Sequence, residues 1–487
     1  MAWIGLALLV LALLLMMYSG WPTYAVLLGV STLGATLGVS LGVFDVNLLG
    51  SLPGRVVGLL EHDLLQALAL YALVGALMNR MALAGSLFGG LSKALGALPA
   101  ASRAELAGMG LGSLMAPMNG SVSASLLALS RATAQAWGDA GVSTPRRIGL
   151  LAVFSTLGVI VPPSLVLLLL GDAMLRAHTE GLNIARSLAL PLAQQDIRVI
   201  STQDIMQAVL LPAALLLLGW LLIIWLTRER SSGARASTQS SVRLVWQKNE
   251  RWALAIVPLS IVGLLTLVAM GQVRAVEAAA AAGVALLVWG WASHQLSRKV
   301  MREVLDDAMV LTGALFALLL AATTFSLLLR AFGTDALVTH AMLALQGHPM
   351  WALMAVLAML LATSFVLDAF ELIFLVVPIV MPPLLAQVGD AAWVAALTLL
   401  VLQLGFLLPP FGYAVVLAKA QNSPRIGAGT LLRALAPFMA WSALVVVLVL
   451  MWPAVTQWLR TAPAAVQGET LSNDAVEKAM REMSRKP

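Results

Sequence analysis

No cysteine occurs anywhere in the 487 residues. Disulfides, thiol nucleophiles and thiolate metal centres are therefore excluded. Histidine is nearly as scarce: the five, His62, His178, His294, His340 and His348, include no two spaced like a metal pair. Charge is the third shortage. Asp, Glu, Lys and Arg make up 11% of the chain and hydrophobic residues 60%, whereas soluble domains carry about 25% charge. A chain with this balance is a polytopic membrane protein, and no water-soluble domain of useful size remains once its spans are set aside. The net charge of +6 sits mostly in loops and reads as an orientation signal, so no nucleic-acid partner is expected. A Walker-type phosphate loop, which would bring ATP hydrolysis, and a His-Glu metalloprotease motif are both missing. Asp368 has no second intramembrane Asp in a recognisable protease setting. The chain is not expected to be an enzyme.

What is there is a series of apolar stretches. Trp3–Tyr18 and Trp21–Leu49 each read as a span. The first lacks a basic leader and is followed at once by another apolar run, which favours a retained span over a cleaved signal peptide. Leu59–Leu83 opens with Glu61, His62 and Asp63 before turning apolar, the pattern of a segment that lies along the interface before entering the bilayer. Leu83–Pro99 is Gly-rich. Trp137–Arg147, Gly171–Asp204 and Ser297–Asp307 read as polar or charged loops. Ile205–Thr227, Ala253–Met270, Ala275–Trp291, Met309–Leu329 and Leu432–Trp458 read as spans. Between the halves, Arg228–Arg251 collects six basic residues against Glu229 and Glu250, with Trp220, Trp225, Trp246 and Trp252 around it. The positive-inside bias places this segment in the cytoplasm. The expected organisation is a first membrane repeat over 1–227, a basic linker over 228–251, a second repeat over 252–460 and a polar tail over 461–487.

The informative stretches are those where an apolar run is interrupted. Leu106–Ala134 holds Pro117, Asn119, Gly120, Ser121, Ser123 and Ser125, a turn signature that predicts a hairpin of two half-helices. Ile148–Leu170 is broken at Pro162-Pro163-Ser164. In the second half, Trp351–Leu385 is broken around Asp368, and Trp393–Lys419 at Pro409-Pro410-Phe411-Gly412. Asn119 precedes the first Pro-Pro, and Asp368 the second, by about forty positions each. Pro removes a backbone donor and breaks a helix ladder. Broken backbone at membrane depth survives only where protein buries it or a polar cavity borders it. Paired interruptions at matching places in two halves point to a transport site.

Asn119, Gly120, Ser121 and Ser123 supply an amide, hydroxyls and open backbone suited to a hard cation, while half-helix N-termini favour an anion. The plainer account, small residues that let helices pack closely, fits a turn sequence less well. Carbonyls freed upstream of Pro162-Pro163 and Pro409-Pro410 are further candidate ligands. Asp368 and Glu371 share one helix face. An acidic residue at the centre of a span costs about 2.5–3.5 kcal/mol, so they either line the polar pathway or form a structural pair bonded to backbone donors at a helix end. Gln403 caps a break or bonds across helices, with the second favoured. Pro382-Pro383 reads as a helix end, and Asp172 and Arg330 as span-end charges that snorkel or pair.

Four segments carry a family resemblance: "GVIVPPSLVLLLLGD" (158–172), "ISTQDIMQAVLLPAALLLL" (200–218), "FVLDAFELIFLVVPIVMPP" (365–383) and "LQLGFLLPPFGYAV" (402–415). Through them the chain, over roughly 59–425, resembles the large membrane subunit of the tripartite ATP-independent periplasmic (TRAP) transporters, with most likeness to the mannitol/chloroaromatic-type subgroup. The resemblance implies an all-α polytopic fold of the ion-transporter elevator type: two inverted repeats, each with a re-entrant helical hairpin and a broken helix. It implies a multi-pass protein of the bacterial inner membrane that works with a small four-helix membrane subunit and a periplasmic substrate-binding protein. Its cargo would be an organic anion, a carboxylate or sulfonate, driven by Na⁺, with no other cofactor. The two ion positions would lie near Asn119 and Ser121, and near the backbone of Leu408 and Pro409. Relatives of this subgroup usually carry Thr and Ser after the Gln and Thr before Pro-Pro. Here Leu404, Gly405 and Leu408 stand there, so three hydroxyls are missing from the second ion position. A stand-alone or H⁺-coupled transporter of the same fold, with Asp368 and Glu371 as proton carriers, is the alternative. A membrane enzyme such as an intramembrane hydrolase is a distant third.

Overall fold

Helix is the only regular structure among the described residues of the computed structural model, which are 1–61, 63–81, 83–188, 200–227, 248–270, 272–345, 347–422 and 426–458. The first half runs α1 (Ala2–Ser19), α2 (Thr23–Ser40), α3 (Leu52–Leu60), α4 (Asp63–Arg80), α5 (Leu83–Ala94), α6 (Ala100–Asn119), α7 (Val122–Asp139), α8 (Thr144–Ser155), the single turn α9 (Leu157–Ile160), α10 (Leu165–Ser187) and α11 (Thr202–Leu226). The second half runs α12 (Lys248–Ala269), α13 (Ala275–Ala292), α14 (Arg298–Ala331), α15 (Thr334–Leu343), α16 (Pro349–Thr363), the short α17 (Ala369–Glu371), a π-helical turn (Leu372–Val376), α18 (Val377–Leu385), α19 (Ala391–Gly405), α20 (Tyr413–Asn422), α21 (Ala428–Met451) and α22 (Ala454–Gln457).

Among the described residues, five helices are long and apolar enough to cross a bilayer: α1, α2, α11, α14 and α21. Two bent pairs raise this to seven, α3 with α4 at 52° and α8–α9 with α10 at 41°. Their outward faces are apolar: Leu218, Trp225, Val310, Val447 and Met451 are all exposed. In water such a surface would be an aggregation liability; in a bilayer it is the solvated face. The charged start expected to lie along the interface falls at the bend between α3 and α4, at Glu61 and Asp63, with residue 62 outside the described residues. The basic segment 228–247 and the tail 459–487 lie outside the described residues, as does most of the expected linker.

Three stretches expected as loops are largely helix where they are described; 189–199 of the second, Gly171–Asp204, lie outside the described residues. The loop after the first hairpin shrinks to 140–143, because α7 continues to Asp139 and α8 begins at Thr144 behind the extended Ser143. Helix α10 runs on to Ser187 through charged turns; Arg176 pairs with Asp172 one turn back at 3.0 Å. Ser297–Asp307 forms the start of α14, with Ser297 accepting from the Val300 N–H at 3.3 Å. Arg80 of α4 pairs there with Glu303 (2.7 Å) and Asp307 (2.6 Å). Glu, Lys and Arg are good helix formers. At 34 residues, α14 is about 50 Å long, more than the roughly 30 Å hydrocarbon thickness, so its charged turns fit outside the hydrocarbon. Arg330 at its far end pairs with Glu180 of α10.

Packing divides the helices by neighbour. α14 lies against α2 and α4, and α4 also against α13. α10 lies against α18 and α11, and α19 against α16, α11 and α21. The first hairpin, α6 and α7, touches α8 and α9, while α20 closes on α7 and α8. Elements from both halves therefore meet around the two hairpins.

Candidate functional site

The first hairpin turns where its sequence contains no good helix former. α6 ends at Asn119, and Gly120 takes the left-handed conformation (φ 69°) that a side chain resists. Ser121 then opens α7 from an extended backbone. A Cβ on Gly120 would also lie 2.8 Å from Leu165 at the start of α10. The Ser121 and Ser123 hydroxyls are 2.8 Å apart, and Ser125 donates to the Ser121 carbonyl at 2.8 Å. Asn119 is buried, yet neither its amide nitrogen nor its amide oxygen has a hydrogen-bond partner in the protein. Buried polar groups are almost always paired, so this bare amide at the tip is the strongest single sign of a ligand position.

The break between α9 and α10 is built by its own sequence. Val161 is extended, the Pro162–Pro163 peptide is cis, and Ser164 is the N-cap of α10. The Ser164 hydroxyl accepts from the Leu167 N–H at 3.4 Å and donates to the Gly158 carbonyl, so Ser164 and one freed carbonyl satisfy each other. This break seats the first hairpin: a Cβ on Gly158 would come 2.5 Å from the Ala116 carbonyl oxygen of α6. Gln403 of α19 donates to Thr156 beside the same break at 3.4 Å, across helices as expected. Its carbonyl oxygen is buried with no hydrogen-bond partner in the protein.

In the second hairpin the two carboxylates serve the backbone. Asp368 is the N-cap of α17, where the Glu371 N–H donates to it at 3.0 Å and the Asp368 N–H donates to Glu371 at 2.9 Å. Of the two accounts open for this pair, the structure has the helix-end one, a reciprocal capping box. The Thr23 hydroxyl of α2 donates to the remaining Glu371 oxygen. Both carboxylates sit at the break of the second hairpin. Pro382 and Pro383 fall in the last turn of α18, close to the helix end expected there.

The second Pro-Pro break is a tight reversal. The Pro409–Pro410 peptide is cis, the Gly412 N–H donates to the Leu408 carbonyl at 2.7 Å and the Ala414 N–H to the Phe406 carbonyl at 3.2 Å. A Cβ on Gly412 would lie within 2.8 Å of backbone on several sides, which accounts for glycine there. The Leu408 carbonyl, expected as an ion ligand, thus spends one of its two lone pairs on Gly412. Pro410 and Phe411 project outward and are exposed, whereas Gly412 is buried.

The structure brings these places together. The Tyr413 side chain, just after the second break, faces Ser123 of the first hairpin and lies within electrostatic range of Asp368 and Glu371. Gly405 abuts the second hairpin so closely that a Cβ there would fall onto the Ser364 hydroxyl. The Ser364 hydroxyl therefore fills the space that a side chain at position 405 would enter. Ser364 donates its proton to the Leu361 carbonyl at 2.7 Å, leaving its oxygen lone pairs available. Ser364, Thr156 and Thr23 were not singled out from sequence, because only tertiary packing carries them to the site. The buried pair of Arg146 and Glu105 (3.0 Å) was missed as well, with Arg146 also over the Phe438 ring at 5.4 Å. An Arg next to an apolar run was the available signal. Among the described residues, no group of three or more His, Cys, Asp or Glu could hold a metal ion.

Comparison with known proteins agrees with this architecture. The chain is 24% identical over 410 residues to the sialic acid TRAP transporter permease protein SiaT of Haemophilus influenzae (strain 86-028NP), an alignment covering 84% of this chain and 61% of that protein. The chain thus spans somewhat under two thirds of the length of this curated relative. In fold it is similar to the YdaH transporter of Alcanivorax borkumensis, whose crystal structure was described as having an unusual topology, with a TM-score of 0.53 and 16% identity, over 92% of this chain and 99% of that one. The family description "Tripartite ATP-independent periplasmic transporter, DctM component" matches residues 8–455. The chain belongs to that family: it is a TRAP transporter large permease, a multi-pass membrane protein and not an enzyme.

Proposed function

We propose that this chain imports an organic anion across the bacterial inner membrane in symport with Na⁺, taking its cargo from a periplasmic binding protein and working with a small four-helix membrane subunit. The observation that carries this reading is the bare, buried amide of Asn119 at the hairpin tip, beside the Ser121 and Ser123 hydroxyls. An oxygen-rich, uncharged pocket at helix ends suits Na⁺, and the α7 N-terminus beside it suits a carboxylate. A second Na⁺ would be held near the α19–α20 break, where the Leu408 carbonyl keeps one lone pair and the Ser364 hydroxyl abuts Gly405. The substrate class is a carboxylate or sulfonate. A relative named for sialic acid, itself a carboxylate, favours the former. The two repeats over 1–227 and 252–460, joined by a cytoplasmic basic linker, would move the hairpins as one body against α2, α4 and α14.

The H⁺-coupled alternative uses Asp368 and Glu371 as proton carriers. The capping box speaks against it, because each carboxylate accepts a backbone N–H that protonation would weaken. Uptake into liposomes holding this chain and the small subunit decides between them. With binding protein outside, a Na⁺ gradient should drive accumulation and a pH gradient alone should not. Uptake that proceeds equally well without binding protein contradicts the three-part arrangement, and uptake driven by a pH gradient without Na⁺ contradicts the coupling.

A further inference from the structure

A cavity of about 260 Å³ lies between α3, α10, α14 and the return arm of the second hairpin. Its wall carries Arg55, Arg176 and Arg330 against Asp172 and Glu180, three guanidiniums to two carboxylates. Arg176 is held within its own helix by Asp172 at 3.0 Å. Arg330 instead reaches from α14 across to α10, where the two Glu180 oxygens lie 2.8 and 2.7 Å from its Nη2. The two side chains are 49% and 39% exposed. The inner wall includes Ile373 and Phe374, in the π-helical turn that follows Glu371, so the cavity borders the second hairpin's break.

We propose that this cavity is an anteroom for an organic carboxylate, in which Arg330 receives the anion and Glu180 is the internal carboxylate that holds the guanidinium until it arrives. A guanidinium presents a planar fork of donors that matches a carboxylate, and any carboxylate fills it in the same way. An ion pair this exposed holds weakly, so one carboxylate replaces another at little cost. The excess of cation on the wall favours an incoming anion over an empty cavity. The exchange also has a mechanical consequence. Glu180 lies on α10, the helix that begins at the Ser164 break, and Arg330 on α14, which packs against α2 and α4. Anion capture by Arg330 releases that tie between the two groups of helices. The inference rests on the organic-anion reading above and adds to it a place and a residue.

The absence of native cysteine makes the test clean. Ser326 lies in the cavity wall, so Ser326→Cys in the full chain supplies the sole thiol, and its rate of reaction with N-ethylmaleimide reports access. Sodium acetate, succinate and N-acetylneuraminate are compared with sodium chloride at equal Na⁺ and ionic strength. At least one carboxylate should slow labelling several-fold where chloride does not. Arg330→Gln should abolish that protection, Arg330→Lys should keep part of it, and Glu180→Gln should lower the half-protecting concentration about two- to five-fold. Melting curves confirm that each variant is folded, and Arg330→Lys carries the test if Arg330→Gln is not. Equal protection by chloride, or unchanged protection in Arg330→Gln, overturns the proposal. The readout needs no transport: protection without uptake in liposomes leaves the anteroom standing and removes the uptake reading, whereas uptake without protection removes the anteroom alone.

Discussion

At the scale of single residues, Asn119 and Ser364 have the clearest roles to test. The Asn119 amide makes no bond within the protein, so removing it should cost the fold little and ion binding much. Asn119→Ala is expected to melt within a few degrees of the parent while Na⁺-dependent uptake falls at least about tenfold, the loss of one ligand to a charged group; melting and initial-rate measurements check both halves. Ser364→Ala should raise the Na⁺ concentration for half-maximal uptake, again by about tenfold, and placing the hydroxyl back on the other wall with Ser364→Gly and Gly405→Ser should restore much of it. An unchanged Na⁺ response in Ser364→Ala would remove Ser364 from the second ion position. The capping box separates charge from geometry. Glu371→Gln keeps an acceptor for the Asp368 N–H, so stability and Na⁺ coupling should both persist. Asp368→Ala removes the N-cap acceptor and should destabilise by about 0.5–2 kcal/mol, read from denaturation in detergent.

At the scale of elements, the hairpins and breaks stand on contacts in which backbone meets backbone. Gly158 against the Ala116 carbonyl leaves no room for a methyl group, and the buried Arg146–Glu105 pair ties α8 to α6. Removing one partner of a buried pair strands the other charge. Glu105→Gln or Arg146→Met alone should therefore cost about 3–5 kcal/mol, and the double variant distinctly less; a double-mutant cycle on melting free energies measures the difference. The interruptions themselves were legible in the sequence, because Asn-Gly-Ser is a turn sequence and Pro-Pro removes backbone donors, although Pro382-Pro383 sits within the last turn of α18. The helical continuation of α10 and α14 was not. Charge in such a stretch suggests a loop, whereas charged residues extend a helix readily once it has left the hydrocarbon and can pair, as Arg80 does with Glu303 and Asp307. Asp368 and Glu371 were located by sequence, but their spacing alone fits either a pathway or a cap; only the two backbone hydrogen bonds distinguish them. Tyr413 and Ser364 join the site through contacts between segments distant in the chain, which no local pattern records.

At the scale of the whole molecule, the account comes to one claim: unwound, uncharged polar backbone from both halves is brought together to hold Na⁺ beside the cargo. Contacts from Ser123 to Tyr413, from Gly405 to Ser364 and from Gln403 to Thr156 make that convergence concrete. The most direct measurement is the melting of the purified chain in detergent as Na⁺ replaces choline at constant ionic strength. A ligand that binds only the folded state adds stability as its concentration rises, by about 2.7 kcal/mol at a hundred times its dissociation constant. The account predicts a saturating rise in melting temperature with Na⁺, absent with K⁺ and much reduced in Asn119→Ala. A melting temperature indifferent to Na⁺, or an equal rise in Asn119→Ala, would contradict it.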